Sequence, residues 1–219
     1  MIFALTTFVG ALVGALVGIT AKRFIVEIDS QIVISRLKLI ILGIAFGTFF
    51  AFLIRIRFSN WDLQVAYAIL CSGLILQTMI DALTHRLVRS VTHLIGVTGV
   101  VFLLISAIRA DSYGSIVAAL VCAVTSGLLF AVINRIAPGG LGVGDVRLVP
   151  VLGWYLGFLG YDEAIWAIFI ACLSASVVGV SLIAVGRGSL KRRLAFGPYL
   201  TLGTLVCVFV GEALPSVFS

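Results

Sequence analysis

Charge is what this chain is short of. Only 11% of its 219 residues are Asp, Glu, Lys or Arg, while 62% are hydrophobic. That leaves too few charged side chains to cover a water-facing surface. The four cysteines, Cys71, Cys122, Cys172 and Cys207, all fall inside apolar runs, and none forms a C-x-x-C pair. Neither a zinc knuckle nor a disulfide framework is supported, and the cysteines read as small apolar packing residues. Gly-Lys-Ser/Thr and G-x-G-x-x-G are also missing, which excludes a phosphate cradle. Low-complexity linkers and long polar insertions are lacking too, so residues 1–219 read as a single membrane-embedded domain.

What is there is a series of apolar runs, each near the roughly 20 residues needed to span a bilayer. They cover 2–20, 38–54, 63–80, 91–108, 114–136, 146–160, 163–185 and 196–214. The expected fold is therefore all-α, a polytopic transmembrane helix bundle of about eight spans. No basic residue precedes the first run, so it does not read as a cleavable signal. Gly10, Gly14 and Gly18 recur there at four-residue spacing, which permits close helix–helix approach.

A net charge of +6 would suit a nucleic-acid partner, but its distribution follows membrane topology instead. With both termini outside, twelve of the fifteen basic residues fall on the cytoplasmic side, among them Lys22, Arg23, Arg86, Arg89, Arg147 and the Arg187–Arg193 cluster. Only Arg55, Arg57 and Arg109 fall outside. The segment Ala21–Leu37 then reads as an interfacial loop with solvated charges, including Glu27 and Asp29. Nucleic acid is excluded as a partner; the bilayer is the expected one.

The same parity places two carboxylates together. Asp81 ends the third, inward-running span, and Asp145 precedes the sixth, which starts inside. Ionisable groups in such a setting are functional hypotheses by default. Two adjacent carboxylates resist double ionisation and share a proton. One then acts as general base on water while the other protonates a scissile carbonyl, with no metal and no cofactor. The competing reading is that each aspartate caps a helix. Gly140, Gly142 and Gly144 beside Asp145 would let a substrate backbone approach closely. His85, four residues past Asp81, stands within one helical turn of it but reads as an interfacial histidine.

Three segments, in order, resemble the type IV prepilin peptidases, the bacterial members of the GxGD aspartic membrane proteases. They are Ile80-Asp81-Ala82-Leu83-Thr84-His85-Arg86-Leu87, Gly140-Leu141-Gly142-Val143-Gly144-Asp145-Val146-Arg147-Leu148, and Ala195-Phe196-Gly197-Pro198-Tyr199-Leu200. The resemblance covers roughly residues 60–214. It implies an Asp81/Asp145 catalytic dyad and a substrate cavity involving Gly142, Gly144, Phe196, Gly197 and Pro198. It also implies cleavage of prepilin or pseudopilin leaders at the cytoplasmic face of the inner membrane. The chain departs from the family at Val88, where a proline is usual, and in lacking a cysteine-rich insertion after the first helix. The latter makes the N-methyltransferase activity of longer members an unexpected one here. Two other classes stay open: a small transporter, in which the two acids bind a cation or proton, and an inactive scaffold of a pilus or secretion assembly, for which Val88 is the main supporting feature. The oligomeric state has no signature in the sequence.

Overall fold

The computed structural model describes residues 2–32, 34–137, 141–185 and 195–217. Among them all regular structure is helical, as expected. Helices α1 (Ile2–Ile28), α2 (Arg36–Arg57), α3 (Trp61–Thr84) and α4 (Arg89–Arg109) belong to a compact unit over residues 1–113. Helices α5 (Tyr113–Ile136), α6 (Val143–Leu159), α7 (Tyr161–Ala184) and α8 (Gly197–Val210) make up a second, over residues 114–219. Six of the eight, α1 to α5 and α7, are long and apolar enough to cross a membrane. Leu12, Leu16, Phe49, Leu128, Phe169 and Leu173 all project outward from them, as in a multi-pass membrane protein, whose outer solvent is hydrocarbon. Helices α6 and α8 have 17 and 14 residues. The last expected span, 196–214, is shortened because α8 gives way at Gly211 to a 3-10 turn, Gly211–Ala213.

In the first unit, α1 and α2 meet backbone to backbone. A Cβ on Gly10 would strike the Gly47 carbonyl, one on Gly14 that of Gly43, and one on Gly18 that of Leu39. The four-residue glycine spacing thus serves close packing, as expected. Helix α3 is the inner helix, with Tyr67, Leu70, Leu74 and Ile80 fully enclosed. Phe58, just past α2, stacks on Tyr67 with ring centroids 4.4 Å apart.

The reading of residues 21–37 as a loop is corrected. Helix α1 continues to Ile28, carrying Lys22, Arg23 and Glu27 on its last turns. Val17, Ala21 and Ile25 prolong its buried face at four-residue spacing, so packing on one side sustains the helix past the charges on the other.

In the second unit, α6 lies against α5 through Gly153 and Gly157. A Cβ on either would stand 2.7 Å from a carbonyl of α5, that of Cys122 or Ala118. Pro150 interrupts α6, where it cannot donate to the Val146 carbonyl. Gly127 of α5 leaves room for its ring, at 3.2 Å from a notional Cβ. Gly203 of α8 approaches the Ala167 carbonyl of α7 in the same way. Beyond α8 the chain returns to α7: Trp166 Nε1 donates to the Pro215 carbonyl at 2.9 Å. Ser216 Oγ and the Val217 N–H donate to the Asp162 carboxylate at 2.9 and 3.0 Å. Cys71, Cys122 and Cys207 are buried packing residues; Cys172 instead sits on an exposed face.

Candidate active site

Asp81 occupies the last turn of α3 and is 4% exposed. The helix stops at His85, whose backbone turns left-handed at φ 51° and ψ 36°. Its N–H closes the last turn on the Asp81 carbonyl at 2.9 Å. His85 thus meets Asp81 through the backbone, while its side chain is exposed. A left-handed, non-glycine residue is a costly way to end a helix. The cap is reinforced from within α3, where Thr84 Oγ1 donates to the Ile80 carbonyl at 2.8 Å.

The turn after Asp81 is held by Gln77, one helical turn before it and 1% exposed. Gln77 Nε2 donates to the Val88 carbonyl at 3.0 Å and to Thr92 Oγ1 at 2.9 Å. Its Oε1 accepts the Val88 N–H at 2.8 Å. Val88 is the N-cap of α4, so one carboxamide clamps the start of α4 to the end of α3. Valine at position 88 makes this donation possible. A proline has no N–H and could not donate to Gln77.

Asp145 lies in the first turn of α6, three residues after the N-cap Gly142, and is 6% exposed. Gly142 has φ −69° and ψ 137°, an extended conformation open to any residue. Conformational freedom is therefore not what the position requires. A Cβ there would stand 2.7 Å from Asp145 Oδ2, so glycine gives space to the carboxylate that folds back over it. Gly144 is the second residue of α6. Gly140 lies outside the described residues, as does the Arg187–Arg193 cluster.

The two acids sit at opposite kinds of helix end. Asp145 is at an N-terminus, where the macrodipole favours an anion. Asp81 is at a C-terminus with no basic residue in its last turn, where a carboxylate gains nothing from the dipole. Capping can explain Asp145 in part, but it gives no account of Asp81.

Phe196 is the N-cap of α8, followed by Gly197 and Pro198 in its first turn. Proline suits that position, since the first amides of a helix have no internal acceptor. The Phe196 carbonyl accepts from the N–H groups of Tyr199 and Leu200 at 3.0 and 3.1 Å. Its ring lies 6.2 Å from that of Phe130 on α5, tying the start of α8 to α5. Of the expected site residues, Gly142 and Asp145 are in contact. Gly142, Gly144, Asp145, Phe196, Gly197 and Pro198 belong to the second unit and Asp81 to the first. Gln77 was not singled out by the sequence; only its polar type inside an apolar run could have flagged it.

Comparison with known proteins places these features in context. Residues 68–180, more than half of the chain, match the Type IV leader peptidase family. That stretch contains Asp81 and Asp145 and ends before Phe196. A prepilin leader peptidase/N-methyltransferase of Bacillus subtilis (strain 168) is 31% identical over 94 residues, covering 42% of this chain and 37% of the relative. A protein of the same description from Burkholderia pseudomallei (strain 1026b) is 32% identical over 72 residues, 33% of this chain and 22% of the relative. The matches thus span little more than a third of the relatives' length at most. No solved structure matches. With the match running across both helix ends that carry the buried aspartates, the chain belongs to the Type IV leader peptidase family.

Proposed function

We propose that the chain is an aspartic endopeptidase of the cytoplasmic membrane, which removes the leader from prepilins or pseudopilins at the cytoplasmic face. Asp81 and Asp145 are its catalytic dyad, and both units act together as one peptidase domain. The observation that carries this reading is Asp81: a buried carboxylate at a helix C-terminus, a position that capping does not explain. Family membership supplies the class of reaction, and the charge distribution supplies the side of the membrane.

In the reaction one carboxylate accepts a proton from water as its oxygen bonds to the scissile carbonyl carbon. The other, protonated, donates to the carbonyl oxygen, giving a neutral tetrahedral diol. Collapse breaks the C–N bond and the departing nitrogen takes up a proton. Gly142 keeps space over the Asp145 carboxylate, and Phe196, Gly197 and Pro198 shape the cavity for the leader. The proposal is confined to cleavage, because residues 29–35 between α1 and α2 carry no cysteine-rich segment.

Co-expression with a candidate prepilin tests the reading through the gel mobility of the leader-bearing and processed forms. Asp81→Ala and Asp145→Ala should each abolish processing at unchanged membrane levels, a result incompatible with a scaffold or transporter. Processing that survives either substitution rejects the dyad.

A further inference from the structure

The first unit holds a slot of about 330 Å³ between α1, α2 and α3 that the proposed peptidase chemistry does not use. Its walls are apolar, with Val9 and Val13 from α1, Phe50 from α2, and Ala68 and Ile75 from α3. One end differs in character. There Arg55, Trp61 and Gln64 line it, and the Arg109 guanidinium lies 5.5 Å from the Trp61 ring. Arg57 is close by, over the ring of Phe58 at 5.5 Å. Gln64 Nε2 donates to the Phe58 and Ser59 carbonyls at 2.8 and 3.3 Å, fixing the α2–α3 turn at this mouth. Asp62, the nearest carboxylate in sequence, is 1% exposed and does not line the slot.

Dimensions narrow the occupant. Trp61 and Ile75, on the lining of α3, are separated by about 21 Å of helix rise. That is close to one leaflet, about 15 Å of hydrocarbon plus a headgroup layer of about 6 Å. Spread over that length, the volume open to the centres of water-sized spheres is about 4 Å across, a wall-to-wall gap of about 7 Å once the sphere radius of about 1.4 Å is added on each side, which admits an acyl chain. A transmembrane helix, about 10–12 Å across with its side chains, is wider than that gap, so a substrate helix does not fit. The polar end combines a guanidinium in the wall with an interfacial tryptophan, as suits an anionic headgroup.

We infer that this slot binds one acyl chain of an anionic phospholipid, with the phosphate at Arg55 and the chain running along α3 toward Ile75. The inference is independent of the peptidase reading. A lipid held there fills the space between α1 and α3 and braces the inner helix that bears Asp81.

Tryptophan quenching tests it. In the Trp154→Phe/Trp166→Phe background, Trp61 is the sole indole and reports on the mouth. Vesicles contain either phosphatidylglycerol or phosphatidylcholine brominated near the head of one acyl chain. Trp61 should favour the brominated phosphatidylglycerol by about fivefold in apparent affinity, the effect of one arginine at an anionic surface. Arg55→Gln should bring that ratio close to one. Ala68→Phe, which fills the slot, should abolish the saturable quenching by either lipid. Val9→Phe does the same from an exposed position of α1 and serves if Ala68→Phe fails to fold. Equal quenching by both lipids in the parent protein, or selective quenching that persists in the filled variant, overturns the inference.

Discussion

Gln77→Leu isolates the clamp behind Asp81. The substitution keeps the buried volume but removes three hydrogen bonds, of which two lose little. The Val88 carbonyl keeps the Thr92 N–H at 3.2 Å, and Thr92 Oγ1 still reaches that carbonyl at 3.4 Å. Only the Val88 N–H is left without a partner. An orphaned donor costs about 1–3 kcal/mol, and each lost bond about 0.5–1.5 kcal/mol where nothing replaces it. Val88 is half-buried, so water offsets part of the loss, and leucine regains apolar contact. The net is about 2 kcal/mol, equivalent to about a 30-fold rise in opening of the turn. Hydrogen exchange in lipid nanodiscs should show residues 85–92 exchanging about 30-fold faster, with the interior of α3 unchanged, and leader cleavage falling in parallel. Val88→Pro should harm the parent by stranding Gln77 Oε1. Combined with Gln77→Leu, it should cost less than the sum of the two by about 1 kcal/mol. Unchanged exchange in Gln77→Leu, or strict additivity, would refute the clamp.

Gly142→Ala should reduce leader cleavage more than tenfold while leaving thermal stability within about 1 kcal/mol, because the backbone there accepts alanine but Asp145 Oδ2 does not. Activity and melting of the purified variant, measured side by side, separate the two effects. His85→Gly should stabilise the protein by about 0.5 kcal/mol, since relief of a left-handed residue exceeds the entropy that glycine adds to the unfolded chain; a lower melting temperature contradicts this. Gly14→Leu should destabilise the first unit by 3 kcal/mol or more, estimated as about the worst class of overpacking, because its Cβ meets the Gly43 backbone and not a movable side chain. Loss of detergent-resistant folded protein on heating measures it.

The helices were legible because apolar length alone marks a span, and all eight runs correspond to helices. Their ends were less so. Lys22 and Arg23 resemble the close of α1 by charge, yet Ala21 and Ile25 continue a buried stripe that only the partner surface makes visible. Asp81 and Asp145 stood out as acids in hydrocarbon, and both are buried at helix ends. The role of Gly142 was hidden: sequence suggests flexibility or access, whereas the position needs space for one particular carboxylate. Gln77 was hidden for a different reason. A side chain that bonds a backbone group eleven residues away leaves no periodicity to read.

The packing described for α1 with α2, α3 with α4, and α7 with α8 joins helices that are neighbours in the chain. Each such hairpin can therefore close while the ribosome is still making the next, without waiting for a distant segment. The α1–α2 pair needs least of all, because at Gly10, Gly14 and Gly18 its contact is made by backbone against glycine. Local pairing of this kind makes assembly fast and leaves few intermediates exposed. A glycine substitution in α1 should consequently lower insertion and yield as well as the stability of the protein that does fold.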